Sequence, residues 1–340
     1  MSQRLRGKAV VFARPLKAAL HEGVGFPEMG DEGVVIKTAV SGISRGTELD
    51  LYNAEFHGRN QWYPMLPGYM PVGPVERVGK GVTHLREGDR AVASNLFSGF
   101  EDPYCCAWGG HLERVVVSKH SHPLGARRAV KVPENVSDEE AAFAVLGAVA
   151  LHGFEKANPK PGQTVAVIGQ GIIGSFWAQI AKAHGCRVVV TEVSANRLKI
   201  AKAVGIQEMV NAAEVDQVEA VRELTDGRGP DLVVEVTGNP QLLLLALRMV
   251  GADGWVHGQG MYLEPVPIHF PSTLFGGNLT LSSSCGETPE QAAKVLDMIS
   301  SGALKVKPMI THEFKPEQAE AAYEFVYNHP EECLGVFFRW

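Results

Sequence analysis

From residue 8 to about residue 130, apolar positions come in short runs: Ala9-Val10-Val11-Phe12, Gly33-Val34-Val35-Ile36 and Arg114-Val115-Val116-Val117. Gly, Pro and Asp clusters separate them, a pattern that predicts the strands of an antiparallel or barrel-like β domain. Gly88-Asp89-Arg90 running into Ala91-Val92-Ala93 reads as a turn that enters a strand. The texture changes near Glu134, where Ser137 followed by Asp138-Glu139-Glu140 predicts a helix start, an N-cap with acids on the positive end of the dipole. Between about 160 and 285 the order becomes strand, glycine turn, helix, strand, which predicts a parallel, doubly wound sheet. Its expected strands are Thr164–Ile168, Arg187–Thr191, Leu232–Val236, Trp255–His257 and Leu279–Ser282. Helices from Thr288 to about Ser300 and from Pro316 to about Asn328 precede a closing strand, Gly335-Val336-Phe337-Phe338.

With 340 residues, 45% hydrophobic and 21% charged, the chain has globular composition and length for two domains. We expect a β-rich domain over 1–150, completed by 290–340, and a nucleotide-binding domain over 151–289. A net charge of -6, with no long block of like charges, argues against nucleic acid or an anionic membrane as partner and for a small molecule. No stretch approaches the roughly 20 apolar residues of a membrane span, and MSQRLRGKAVVFARP contains no signal-like run, so a cytoplasmic location is expected. Cysteines 105, 106, 186, 285 and 333 form no CxxC pair and fit reduced thiols.

Thr164-Val165-Ala166-Val167-Ile168 runs straight into Gly169-Gln170-Gly171-Ile172-Ile173-Gly174 and then into an expected helix, Ser175–His184. A GxGxxG between an apolar strand and a helix is the dinucleotide fingerprint: a tight turn, a backbone a pyrophosphate can approach, and close helix packing. The next strand ends at Glu192, an acid placed to accept from ribose hydroxyls and to repel a 2′-phosphate, which favours NAD over NADP. Arg197 lies close enough in sequence to flank the adenine or to soften that preference.

Several segments together resemble the medium-chain dehydrogenase/reductase superfamily. Gly79-Lys80-Gly81-Val82 followed by Gly88-Asp89-Arg90 is similar to its "VGxGVxxxxxGDRV" segment, and Gly109-Gly110-His111-Leu112-Glu113 to its "GxxAEY" segment. Val236-Thr237-Gly238 resembles the turn that faces the nicotinamide. The resemblance implies an α/β protein with a GroES-like β-rich catalytic domain and a Rossmann domain, an active site in the cleft between them, and a homodimer or homotetramer.

Zinc-dependent members take their catalytic metal from a Cys in "GICGTD", a His-Glu pair in "PGHE" and a later Cys or Asp. The corresponding stretches here are Gly42-Ile43-Ser44-Arg45-Gly46-Thr47-Glu48, Pro67-Gly68-Tyr69-Met70 and Val145-Leu146-Gly147. These side chains do not make a tetrahedral N/S site, and the four-cysteine structural lobe is missing. No metal is therefore expected. Ser41–Glu48 also resembles the "SGISxGTE" stretch of a subgroup that includes hydroxyethyl bacteriochlorophyllide dehydrogenases.

Without zinc, a side chain must handle the hydroxyl proton. Tyr69 is the expected donor, with Ser44, Thr47 and Glu48 as polar partners and His57 in reserve. The cofactor-binding set is Gly169, Gly171, Ile172, Ile173, Gly174, Glu192, Arg197, Thr237 and Gly238. The expected reaction interconverts a secondary alcohol and a ketone on a ring-shaped or polyol-like substrate. Reduction of an activated C=C bond or a quinone, and non-catalytic NAD(H) binding, remain open beside it.

Overall fold

A computed structural model describes residues 4–56, 62–93 and 96–340. The chain divides into two compact units. One comprises Met1–Val145, Thr288–Ser300 and Ile310–Trp340, the other Leu146–Glu287 and Ser301–Met309.

The first unit is built mainly on antiparallel strands whose short apolar runs are buried on both faces. Arg6–Arg14 and Lys17–Gly25 form a hairpin, and Val34–Lys37 pairs with both Tyr69–Val78 and Arg114–Val117. Ala9, Val10, Val11 and Phe12 are completely buried; burying one such aliphatic or aromatic side chain is worth roughly 1.5–3 kcal/mol. Val40–Ile43 lies between Tyr69–Val78 and the chain's last strand, Gly335–Arg339, so that Gly42 faces Tyr69 on one side and Phe337 on the other. That register brings the Ser41–Glu48 stretch beside Pro67–Met70, the two stretches singled out for chemistry. The Ser137 cap forms as expected: Ser137 Oγ accepts from Glu140 N–H at 3.2 Å and Glu140 accepts from Ser137 N–H at 3.0 Å.

The second unit holds a six-stranded parallel sheet in the order Glu208–Asn211, Arg187–Glu192, Thr164–Ile168, Leu232–Glu235, Trp255–Gly258, Thr280–Ser283. The first strand in sequence sits inside the sheet and the chain winds outward on both sides of it, the doubly wound arrangement. Val165, Val167, Val189, Val190, Val233 and Val234 are all buried, because helices cover both faces of such a sheet and leave no polar alternation. Glu208–Asn211 was not expected: Glu-Met-Val-Asn has too little apolar content to read as a strand. The helix after the glycine loop spans Ile172–Ala183, three residues ahead of the expected start, because Gly171 itself is the N-cap. Among the described residues, no helix is long and apolar enough to cross a membrane.

Candidate active site

The nucleotide-binding region of the second unit starts where Thr164–Ile168 ends, at the point where the strand order reverses and ligands of such sheets bind. A Cβ on Gly174 would overlap the Gly169 carbonyl, so only glycine lets helix Ile172–Ala183 pack this close to the loop. A Cβ on Gly171 would meet nothing within 4 Å. The helix N-terminus carries no side-chain cap, which leaves the amides at Ile172 and Ile173 for an anion. Gln170 Oε1, inside the same loop, is buried without a hydrogen-bond partner. An uncapped helix start and open space at Gly171 fit a bound pyrophosphate.

Glu192 closes its strand and is nearly buried. Its Oε1 accepts from Val193 N–H at 2.8 Å and Ser194 N–H at 3.0 Å, and its Oε2 accepts from Gln170 N–H at 2.8 Å. Acceptor capacity for a ribose hydroxyl thus remains on Oε2, where the Arg197 guanidinium also stands, at 3.7 Å. Thr237 leans over the same loop, its Cγ2 2.7 Å from where a Gly169 Cβ would lie. Gly169–Gly174, Glu192, Arg197 and Thr237–Gly238 are therefore gathered at one end of one sheet.

Sequence reasoning missed the group that holds the Thr237 turn. Glu235 is fully buried and accepts from Thr237 N–H at 2.7 Å, Gly238 N–H at 3.3 Å, the Thr237 hydroxyl and the Tyr262 hydroxyl. Burial and the adjacent Glu235 push the Tyr262 phenol far above its ordinary range, so it stays a donor. The available signal was an acid inside the apolar run Leu232–Val236.

In the first unit, Tyr69 opens the strand Tyr69–Val78 and stacks on Trp108, ring centroids 4.9 Å apart at 27°. Phe56 meets the Trp108 ring edge-on at 5.7 Å. Met70 and Trp108 both have left-handed backbones, φ 55° and 66°, unusual for bulky side chains and typical of places where the surrounding structure over-determines the chain. Met70 is buried with its methyl directed at Gly42, an apolar packing role. Ser44 is buried and Thr47, first residue of the helix Thr47–Tyr52, is half-buried. His57 lies outside the described residues. Val145, Leu146 and Gly147 fall in the helix Ala144–Ala157 and supply no ligand. The Cys105-Cys106 pair is packed thiol: burial raises both, Cys106 the further.

The placement of Glu48 corrects its expected role as a partner of substrate. It is completely buried, with Oε1 accepting from Ser44 N–H at 2.8 Å and Oε2 accepting from the Tyr323 hydroxyl at 2.5 Å and facing His111 Nε2 at 3.1 Å. A carboxylate so engaged fixes the Ser44 loop and does not face a ligand. Neither Ser44, Tyr69 nor Met70 is a strong zinc ligand, and the donor set at these positions does not fit that ion. Among the described residues, the only group of three or more His, Cys, Asp or Glu close enough to share an ion is His329, Glu331 and Glu332, beyond the last helix.

Two family models match the chain, "Alcohol dehydrogenase GroES-like domain" over residues 30–133 and "Zinc-binding dehydrogenase" over residues 173–301. The L-threonine 3-dehydrogenase of Thermococcus kodakarensis is 29% identical, with 94% of each chain covered. The sorbitol dehydrogenase of Halalkalibacterium halodurans is 27% identical over 88% of this chain and 90% of its own. Among solved structures, the alcohol dehydrogenase of Thermus sp. ATN1 is 27% identical and superposes with a TM-score of 0.83, covering 98% of this chain and 99% of that one. With the GroES-like model on the β-rich unit, the dehydrogenase model on the parallel sheet and full-length relatives of the same build, the chain belongs to the medium-chain dehydrogenase/reductase superfamily of oxidoreductases.

Proposed function

We propose that the protein is a zinc-independent, NAD(H)-dependent oxidoreductase that interconverts a secondary alcohol and a ketone on a ring-shaped or polyol-like substrate. We place it in a zinc-free subgroup whose "SGISxGTE" stretch is also that of the hydroxyethyl bacteriochlorophyllide dehydrogenases. The observation that carries the reading is the side-chain chemistry at the ligand positions. Ser44, Tyr69 and Met70 stand where the superfamily's zinc ligands stand, and the acid beside them, Glu48, is hydrogen-bonded on both oxygens.

The nicotinamide supplies the hydride acceptor or donor when bound. The chain's own residues do the rest. Gly169–Gly174 and the uncapped first amides of the following helix would hold the pyrophosphate, and Glu192, through Oε2, would accept from the adenosine ribose. Its charge repels a 2′-phosphate and so selects NAD(H). Tyr69, its ring held flat against Trp108, gives its phenolic proton to the developing alkoxide in reduction and accepts it back in oxidation. Ser44 and Thr47 are the neighbouring hydroxyls available to orient the substrate. The apolar faces of Trp108 and Phe56 suit the carbon face of a ring or polyol.

The L-threonine and sorbitol named for two of the relatives above agree with a secondary-alcohol reaction. Edge-to-edge pairing of two copies through the strand Thr280–Ser283 fits its place at the end of the sheet and the exposed Leu281 and Phe275, 36% and 78%. Free cysteines fit a cytoplasmic setting. The test is NADH absorbance across sugars, cyclitols, aromatic secondary alcohols and enones. Turnover of an alcohol with NAD supports the reading; turnover confined to enones or quinones, or to NADPH, overturns it.

A further inference from the structure

A completely buried histidine, His111, lies between the two stretches that carry the proposed chemistry. Its backbone belongs to the Tyr69 side. His111 N–H donates to Pro67 O at 3.3 Å, and Gly110 N–H is shared between Pro67 O at 3.2 Å and Gly68 O at 3.1 Å. Gly68 has φ 118°, and a Cβ there would overlap His111 N and come 2.7 Å from the ring's Cγ. Pro67–Gly68, the two residues before Tyr69, are therefore pressed onto His111. Its side chain belongs to the Ser44 side, since Nε2 faces Glu48 Oε2 at 3.1 Å and Glu48 Oε1 holds Ser44 N–H at 2.8 Å.

Donor accounting fixes the state of the ring. The Trp340 indole can only donate, and it does so to Ser41 Oγ at 2.9 Å. Ser41 Oγ lies 2.8 Å from His111 Nδ1. Glu48 already receives Ser44 N–H and the Tyr323 hydroxyl, and burial raises that phenol well above its ordinary range, so it remains a donor. Glu48 is thus the acceptor of its network, and Nε2 must carry a proton to face it. A second proton on Nδ1 would strand the Ser41 hydroxyl hydrogen, since Ser41 and His111 are both completely buried and Ser41 Oγ has no further partner among the described residues. Ser41 therefore donates to Nδ1, and the donors run in one direction: Trp340 to Ser41, Ser41 to His111, His111 to Glu48.

We propose that His111 is a positioning residue, a neutral Nε2–H imidazole that cross-links the Ser44 stretch to the Tyr69 stretch and sets the spacing of the two hydroxyls. It reaches the reaction through Tyr69 and Ser44 and touches no substrate. The positioning role rests on the function proposed above; the tautomer does not.

The tautomer is read by nitrogen-15 NMR of the histidine-labelled whole chain at neutral pH. The account requires a pyridine-like Nδ1 and a protonated Nε2. Nδ1–H, or an imidazolium, overturns it whatever the activity. The role is read in His111→Phe, which keeps the ring that packs edge-on to Phe338 and removes both side-chain hydrogen bonds, and in His111→Gln, which restores a donor to Glu48. With the fastest alcohol of the panel, His111→Phe should lower kcat about ten- to a hundredfold while NADH affinity by calorimetry stays unchanged, since small misplacements of reacting groups cost rates of that order. His111→Gln should recover most of the loss. In the double variant His111→Phe, Tyr69→Phe, kcat should fall no further than in Tyr69→Phe alone, because His111 acts through the placement of the phenol. Wild-type kcat in His111→Phe, or effects that multiply, contradict the role. If His111→Phe does not fold, the NMR result and His111→Gln decide. A Tyr69→Phe enzyme with full activity removes the proton role of Tyr69, and with it the positioning role of His111, while leaving the tautomer test intact; an enzyme that turns over no alcohol removes the proposed function.

Discussion

Glu192 and Glu48 are both buried acids beside the segments that carry the chemistry, one in each unit, and the structure uses them in opposite ways. Glu192 accepts three backbone N–H groups and keeps acceptor capacity toward the glycine loop, where a helix start is uncapped and Gly171 borders open space. Glu48 accepts a backbone N–H and a phenol and faces an imidazole, and none of its surface is exposed. A site that receives a large anion must leave backbone donors unpaired until the ligand comes. The Ser44 and Tyr69 stretches are held in the opposite way, by side chains that satisfy one another. Buried polar groups left without such partners would cost about 1–3 kcal/mol each.

The sharpest way to break this contrast is Gly171→Val. A branched side chain enters space that no protein atom occupies, so the chain should fold with its wild-type melting temperature while calorimetry finds no NAD(H) binding. Retained affinity would move the nucleotide site elsewhere. Next in size is Tyr69→Phe, which keeps the stack on Trp108 and removes only the proton. General acid catalysis is typically worth 10²–10⁴-fold, so kcat should fall at least about a hundredfold with cofactor affinity intact. A loss of a few-fold would transfer the proton to Ser44, Thr47, His57 or water.

Glu192→Ala tests the other side of the comparison. Losing a charge-assisted hydrogen bond costs roughly 1.5–3 kcal/mol, about ten- to a hundredfold in NAD affinity. Affinity for NADP should change less, narrowing the gap between the two cofactors; wild-type preference for NADPH would overturn the assignment.

The remaining prediction concerns acid. His257, buried between Ser282 Oγ at 2.8 Å and Ser284 Oγ at 3.0 Å, is held neutral by burial, its pKa lowered to about 4. An unfolded chain protonates it near 6.5, so its contribution is fully present above that pH and is lost as pH falls toward about 4. The loss is on the order of 3 kcal/mol. Between pH 7.5 and 4.5 the melting temperature of the parallel-sheet unit should drop more steeply in the wild type than in His257→Gln, as followed by calorimetry. Equal slopes would contradict the assignment.

Most of the glycine-loop region was legible because its determinants are local: an apolar strand, GxGxxG, a helix and the acid ending the next strand lie within one stretch of sequence. Glu208–Asn211 escaped because a short edge strand draws its stability from its neighbour and not from its own side chains. The Ser44 and Tyr69 stretches of the first unit were legible only as an absence of ligands. What replaces them depends on pairings that no sequence spacing announces, Glu48 with His111 across 63 residues and with Tyr323 across 275. The left-handed backbones of Met70 and Trp108 were equally hidden, since neither residue type signals such a conformation. Glu48, conspicuous as an acid in a motif, was assigned to substrate because sequence carries no record of burial.

The central claim is that side chains, and not a metal ion, manage the proton at Tyr69. Counting zinc in the purified whole chain, and measuring turnover of the same sample before and after prolonged chelation, tests it most directly. The account predicts well under one zinc per chain and unchanged turnover; activity that disappears with the metal and returns when zinc is restored would contradict it.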